Sequence, residues 1–220
     1  MTRVSLLGAC CAVALALAGC GNQSDTSPVL RAMKGVATAM VKTGDAPPPA
    51  PITRADLAAL KVPVIQGEMK SGNSTFYLVP IARQGAAETW GTSDDLTVTF
   101  RNGVLAETRG FGPDIMESTV PSLSQLQSGQ GTHRRSYVYL DGGDQLRRFD
   151  YDCSIQNAGA ETITVVGQQH STRHVVENCT GKWASFTNEY WFESSGKLRK
   201  SKELLVPEWG YLDLSRVIDS

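Results

Sequence analysis

The chain has 220 residues, 41% hydrophobic and 20% charged, with a formal net charge of −1. This is the composition of an ordinary globular protein with a sizeable core, which excludes a disordered polyelectrolyte. Without a basic excess, nucleic acid is excluded as the natural partner.

The first residues differ from everything after them. Arg3 is the sole charge before Cys20, and Val4 to Ala18 is almost entirely apolar or small. A positive start, a short apolar run and small residues before a cut site mark residues 1–19 as a secretory signal peptide. The run falls short of the about 20 apolar residues that a membrane span needs. Leu17-Ala18-Gly19-Cys20 resembles the bacterial lipobox. Small side chains let a peptidase approach the backbone, and the Cys20 thiol is a nucleophile that a lipid donor can alkylate. The resemblance implies a diacylglyceryl group on Cys20, cleavage after Gly19 and acylation of the new amine. Several acyl chains anchor firmly, because each buried methylene contributes about 0.8 kcal/mol. Loss of Arg3 takes the basic count from 21 to 20 against 22 acidic residues, a formal −2. Gly21 follows the cysteine, where Asp would resemble an inner-membrane retention signal. The expected address is therefore the outer membrane, facing the periplasm, with the membrane itself a partner through Cys20.

Residues 20–51 join this anchor to the domain. Gly21 to Asp25 is a polar tether. Ser27 to Lys42 carries a capping Ser27, Pro28 at the first helical position, and Val29, Met33, Val36 and Met40 at helical spacing. That pattern predicts an amphipathic helix. Gly44 to Pro51, with four prolines, predicts a stiff extended linker.

Residues 52–220 read as a single β-rich domain. Thr53 followed by Asp56 predicts a capped short helix, ended by Pro63. From Val64 the texture is β. Leu96, Val98 and Phe100 alternate, and Asn102-Gly103 supplies a tight hairpin turn. "SYVYLDGGDQLRRFDYDCSI" repeats the design with Asp141 to Asp144 as the turn, and "ETITVVG", "HVVENCTG" and "NEYWFESSGKLRKSKELLV" continue it. "GPDIMESTVPSLSQLQSGQG" interrupts the hairpins and reads as a short helix or lid-like loop. Parallel pairs need long crossovers, which are lacking. The expected fold is mainly β: an antiparallel meander of about eight to eleven strands, curled into a curved sheet or flattened barrel, with a short N-terminal helical segment.

Cys10 and Cys11 leave with the signal peptide. Cys153 and Cys179 remain, in an oxidising compartment. A disulfide between them would close a loop of about 26 residues and contribute roughly 3–4 kcal/mol; the alternative is two buried thiols. They do not form a Cys-x-x-Cys redox motif.

Candidate chemistry is sparse. No phosphate-binding glycine loop and no Gly-x-Ser-x-Gly elbow occurs. His170 and His174 would share one face of a helix, but on a strand they stand about 13 Å apart, too far for one metal ion. Asp150 and Asp152 share a strand face at about 7 Å, a glycosidase-like spacing that is commoner as a solvated edge. Asp141 to Asp144 lacks the ligand count of a calcium loop. No catalytic residue, metal or cofactor is therefore expected. Trp90, Tyr190, Trp191, Lys197 and Arg199 are the candidates for a ligand or partner surface. Their aromatic faces suit sugar rings or lipid, and their charge suits an acidic polysaccharide. Alternation puts Tyr190 and Phe192 on one face and Trp191 on the other, and Lys197, Arg199 and Ser201 opposite Leu198, Lys200 and Lys202.

The order of these pieces resembles a known family. The lipobox, "ETWGTSDDLTVTFRNGVLAETRGFGPDIME" and "NEYWFESSGKLRKSKELL" together are similar to the YjbF/GfcB lipoproteins, associated with group 4 capsule and exopolysaccharide export. Trp90, Asn102-Gly103, Gly110-x-Gly112 and Tyr190-Trp191 carry the likeness, followed by Ser195-Gly196, Leu198 and Arg199. The Cys153/Cys179 pair and the proline-rich linker do not look like general family features. The resemblance implies an all-β periplasmic domain and a non-enzymatic role in polysaccharide production or export, with export proteins or polysaccharide as partners. A lipid- or glycolipid-binding carrier or sensor is the alternative, and a polysaccharide-modifying enzyme using Asp150 and Asp152 the second.

Overall fold

The computed structural model describes residues 52–69 and 71–219. The signal peptide, Cys20, the tether, the Ser27–Lys42 helix and the proline-rich linker lie outside the described residues. Helix α1 (Arg54–Ala58) leads into β1 (Val64–Met69), β2 (Ser74–Gln84), β3 (Ala87–Gly91), β4 (Thr97–Arg101), β5 (Val104–Arg109) and β6 (Glu117–Thr119). Helix α2 (Leu123–Ser128) then precedes β7 (Gln130–Leu140), β8 (Leu146–Val165), β9 (Gln168–Gly181), β10 (Ser185–Glu193), β11 (Leu198–Val206) and β12 (Gly210–Ile218).

The strands form a twelve-stranded antiparallel sheet in the order β5-β4-β3-β2-β1-β12-β11-β10-β9-β8-β7-β6. It is a meander closed through β1 and β12, with its seam between β5 and β6. The seam is bridged where the Thr108 N–H donates to the Ile115 carbonyl at 3.1 Å and the Ser118 hydroxyl donates to the Ala106 carbonyl at 2.6 Å. The result is a nearly closed barrel, the flattened-barrel form of the expected fold. Closure hides the edges that an open sheet would expose.

Local chemistry explains several elements. Thr53 caps α1 in a reciprocal capping box with Asp56, as its sequence predicts, and Ser122 caps α2 with Gln125 in the same way. Asn102 and Gly103 both take positive φ, at 52° and 83°, as a two-residue hairpin requires. Two differences from the sequence expectation stand out. The stretch read as helix or lid holds α2 but also strand β6, bringing the strand number to twelve. "ETITVVG" is no separate strand: β8 runs for 20 residues through it, bending at a bulge between Asn157 and Gly159 where Gly159 takes φ 106°.

The barrel interior is packed by Ile65, Leu78, Phe100, Tyr137, Tyr151 and Phe186, among others. Tyr151 and Phe186 meet edge to face at 4.8 Å. At one end α2 stoppers the barrel, its Leu126 packing with Val104, Val175 and Phe192. A second cluster lies on the outer face, where Leu57 of α1 and Ile163 and Val165 of distal β8 cover Val64, Val79, Trp191 and Val217. Arg54 secures this layer by donating to the carbonyls of Val217 and, at 2.8 Å, Val165.

The β5–β6 loop is organised by one carboxylate. Asp114 accepts from the Gly110 N–H at 2.8 Å, and from the Phe111 N–H and the Thr108 hydroxyl at 3.0 Å each. Asp114→Ala should cost about 1–3 kcal/mol, because it strands these donors beside the barrel seam. Urea unfolding of the variant measures it, and an unchanged midpoint would mean that the loop does not support the seam.

Candidate functional site

The barrel interior holds a charged cluster in its packed core. On β7, His133, Arg135, Tyr137 and Tyr139 point inward, and the Arg135 guanidinium is fully buried. Its Nη1 donates to Glu177 Oε2 at 2.8 Å and to the Tyr190 hydroxyl at 3.1 Å. Its Nη2 donates to Glu203 Oε2 at 3.1 Å. Asn188 Nδ2 donates to Glu177 Oε2 at 2.7 Å, and His133 Nε2 lies 2.7 Å from Glu177 Oε1.

The two carboxylates differ. Burial alone would raise both, but Arg135, with hydrogen bonds from His133 and Asn188, holds Glu177 down to about 2. Glu203 has fewer donors, and burial pushes its carboxyl up. Tyr190 Oη lies 2.9 Å from Glu177 Oε2 and 3.2 Å from Glu203 Oε2, yet carries one hydrogen. Glu177 and Glu203 therefore share that hydrogen, and Arg135 Nη2 gives Glu203 Oε2 a second donor. Arg135 thus faces both carboxylates. An ionised Glu177 only accepts, so His133 carries its hydrogen on Nε2, leaving Nδ1 buried without a partner.

The Arg135, Glu177 and Glu203 side chains are fully buried in the barrel core, while His133 borders an open hollow of about 520 Å³ with Thr132, Cys153 and Asn178. Ligand atoms of His133, Cys153 and Glu177 lie within 4.8 Å of one another. They do not make a metal centre, since the Cys153 sulfur sits 2.02 Å from that of Cys179 and His133 and Glu177 are spent on each other. Cys153 and Cys179 are register partners on β8 and β9, both facing inward.

The residues singled out from the sequence scatter. Tyr190 is wholly buried in the cluster, which removes it from any ligand surface. Trp191 is on the opposite, outer face, stacked on His174 at 4.7 Å beneath the distal β8 layer; its indole N–H donates to Glu161 Oε2 at 2.9 Å. Arg199 is buried too, a correction to its reading as part of a ligand or partner surface. A bulge opposite Trp191 and Phe192 breaks the alternation, so Leu198, Ser201 and Glu203 face inward and Arg199 is drawn into ion pairs with Glu193 at 2.9 Å and Asp219 at 2.8 Å. Asp150 and Asp152 point into solvent and pair with Arg148 and Arg134, so they form no joint site. His170 and His174 meet different carboxylates, Glu193 at 2.8 Å and Glu161 at 3.2 Å.

Trp90 and Lys197 do come together. Both line an open hollow of about 350 Å³ at the barrel end stoppered by α2. Arg216, from β12, lines it as well. Sequence reasoning missed Arg216, Arg135, Glu177 and Glu203. The one signal for them was charge at inward-facing strand positions, as with Arg135 between His133 and Tyr137.

A nearly closed antiparallel barrel with a solid interior, following a lipobox-like cysteine, defines the class: a β-barrel-like lipoprotein domain. The chain belongs to the family described as group 4 capsule polysaccharide lipoprotein gfcB, YjbF, whose family model matches residues 32–217. It is 21% identical over 146 residues to the uncharacterized lipoprotein YjbF of Escherichia coli (strain K12), covering 64% of this chain and 68% of that one. The crystal structure of the hypothetical lipoprotein YmcC from Escherichia coli (K12) shares the fold, with a TM-score of 0.71 at 15% identity over 90% of this chain and 98% of that chain.

Proposed function

We propose that the protein is a non-enzymatic lipoprotein that assists production or export of capsule or exopolysaccharide, held by acyl chains on Cys20 at the periplasmic face of the outer membrane. The family match carries this reading, since it spans the whole barrel from β1 to β12. The site geometry supports it. The two aspartates that an enzyme would need stand apart in solvent. A lipid carrier would need an apolar cavity, but among the described residues the interior is filled. The void between Ile65, Phe100, Leu198 and Leu214 is about 10 Å³, room for no more than a water.

Deleting the gene should lower surface polysaccharide, measured by staining and uronic-acid assay of washed cells, and an unchanged level would overturn the reading. Cys20→Ser should abolish incorporation of labelled palmitate and remove the protein from the outer-membrane fraction. Retention of the variant there would show that something other than Cys20 anchors it.

A further inference from the structure

The hollow at the α2 end is walled by Pro63, Leu123, Leu198 and Ile218, with Trp90 and Arg216 set among them. The Arg216 guanidinium lies 5.6 Å from the ring centroids of both Trp90 and Phe100. Those rings fix its position through cation–π attraction but accept no in-plane hydrogen bond. Among the described residues no carboxylate or carbonyl accepts from it. The other charges around the hollow are paired: Glu88 with Arg83 at 2.5 Å, and Lys197 with Asp219 at 3.0 Å, an acid also shared with Arg199. Burial lowers the Arg216 pKa, against a smaller upward pull from the Glu88 and Asp219 carboxylates. A guanidinium held by ring faces at the wall of the hollow keeps its in-plane donors for an acceptor that enters it.

We propose that this hollow is a binding site for a carboxylate-bearing sugar residue of an acidic polysaccharide, with the carboxylate seated on Arg216. A planar guanidinium pairs with a planar carboxylate through two parallel hydrogen bonds. The apolar wall of Leu123, Leu198 and Ile218 suits the C–H face of a sugar ring, and Lys197 on the rim adds positive field. The volume falls at the lower end of small-molecule sites, about 300–1,000 Å³, and suits a short saccharide segment. The choice of a saccharide rests on the proposed function; the choice of a carboxylate rests on Arg216.

Calorimetric titration of the full-length protein in detergent micelles tests it, using tetragalacturonate, neutral maltotetraose and inorganic phosphate. Tetragalacturonate should bind, and maltotetraose and phosphate should each bind at least about tenfold more weakly, the scale of a lost charged hydrogen bond. Arg216→Gln should weaken tetragalacturonate by about tenfold or more, and Arg216→Lys by less, since it keeps the charge but loses the fork. Arg134→Gln, on the exposed outer face, should leave binding unchanged. Equal affinity for the neutral sugar, equal affinity for phosphate, full affinity in Arg216→Gln, or no binding by the folded wild type would each overturn the site. If circular dichroism shows Arg216→Gln unfolded, Arg216→Lys and Lys197→Gln decide, and full affinity in both overturns it. The two readings fail separately. A deletion that lowers polysaccharide without tetragalacturonate binding removes the site and keeps the function, and binding without a deletion phenotype does the reverse.

Discussion

Arg135→Leu should destabilise the barrel by about 3–5 kcal/mol, the cost of breaking a buried ion pair by removing one partner. It leaves the buried Glu177 carboxylate without its guanidinium, and leaves Glu203 and Tyr190 without their shared donor. The acids should behave unequally. Glu177→Gln strands Arg135 and should cost a similar amount, whereas Glu203→Gln should cost less, because burial already disfavours the charge that it removes. Their pH effects have opposite sign. Glu177 is depressed from 4.5 to about 2, so its contribution is complete above the unfolded value and is lost as the pH falls through about 2. Glu203 is raised above 4.5, so its contribution is present below that value and is lost as the pH rises through its folded pKa. Urea midpoints measured from pH 2 to 8 should lose their acid limb in Glu177→Gln and flatten above pH 4.5 in Glu203→Gln. If Glu203→Gln destabilises as strongly as Glu177→Gln at neutral pH, the two carboxylates do not differ in the way their surroundings imply.

Replacing both Cys153 and Cys179 with serine should cost about 3–4 kcal/mol, and dithiothreitol should do the same to the wild type in urea. The argument is one of chain entropy. The cross-link spans a sequence separation of 26, and cutting it frees the β8–β9 loop in the unfolded chain. For a domain of this size the melting temperature should fall by roughly 10 °C, at about 2–4 °C per kcal/mol. Cys179 is two residues from Glu177 on the same inward face. The double replacement combined with Arg135→Leu should therefore depart from additivity, because the two changes share a neighbourhood. Thiol titration of the unreduced, denatured protein checks the premise: neither cysteine should react, and two reactive thiols would remove the prediction.

Much of the fold was legible because β-structure writes short-range signals. The alternation of Leu96, Val98 and Phe100 and the turn at Asn102-Gly103 placed a hairpin without reference to anything distant. The Thr53–Asp56 box placed α1 for the same reason. The site was less legible. Alternation was carried straight through Leu198 to Lys202, but the bulge opposite Trp191 and Phe192 shifts the phase, so Arg199 is buried in ion pairs instead of sharing a face with Ser201. Nothing local announces that bulge. Tyr190 and Trp191 were placed correctly on opposite faces, yet which face was interior depended on the direction in which the sheet curls.

By itself the sequence determined the family, the antiparallel meander and the helix cap, since motif order, alternation, turn residues and capping act over a few positions. It also supplies the lipobox-like Cys20 on which the proposed membrane address rests. Tertiary structure alone decided that β1 pairs with β12 from opposite ends of the domain, that β5 meets β6 at a seam, and that distal β8 covers the outer face. It also decided which charges found partners. Arg135 met two carboxylates inside the barrel, while Arg216 met the rings of Trp90 and Phe100. Pairing of buried charge is set by side chains brought together across the closed sheet, and no spacing along the chain encodes that distance.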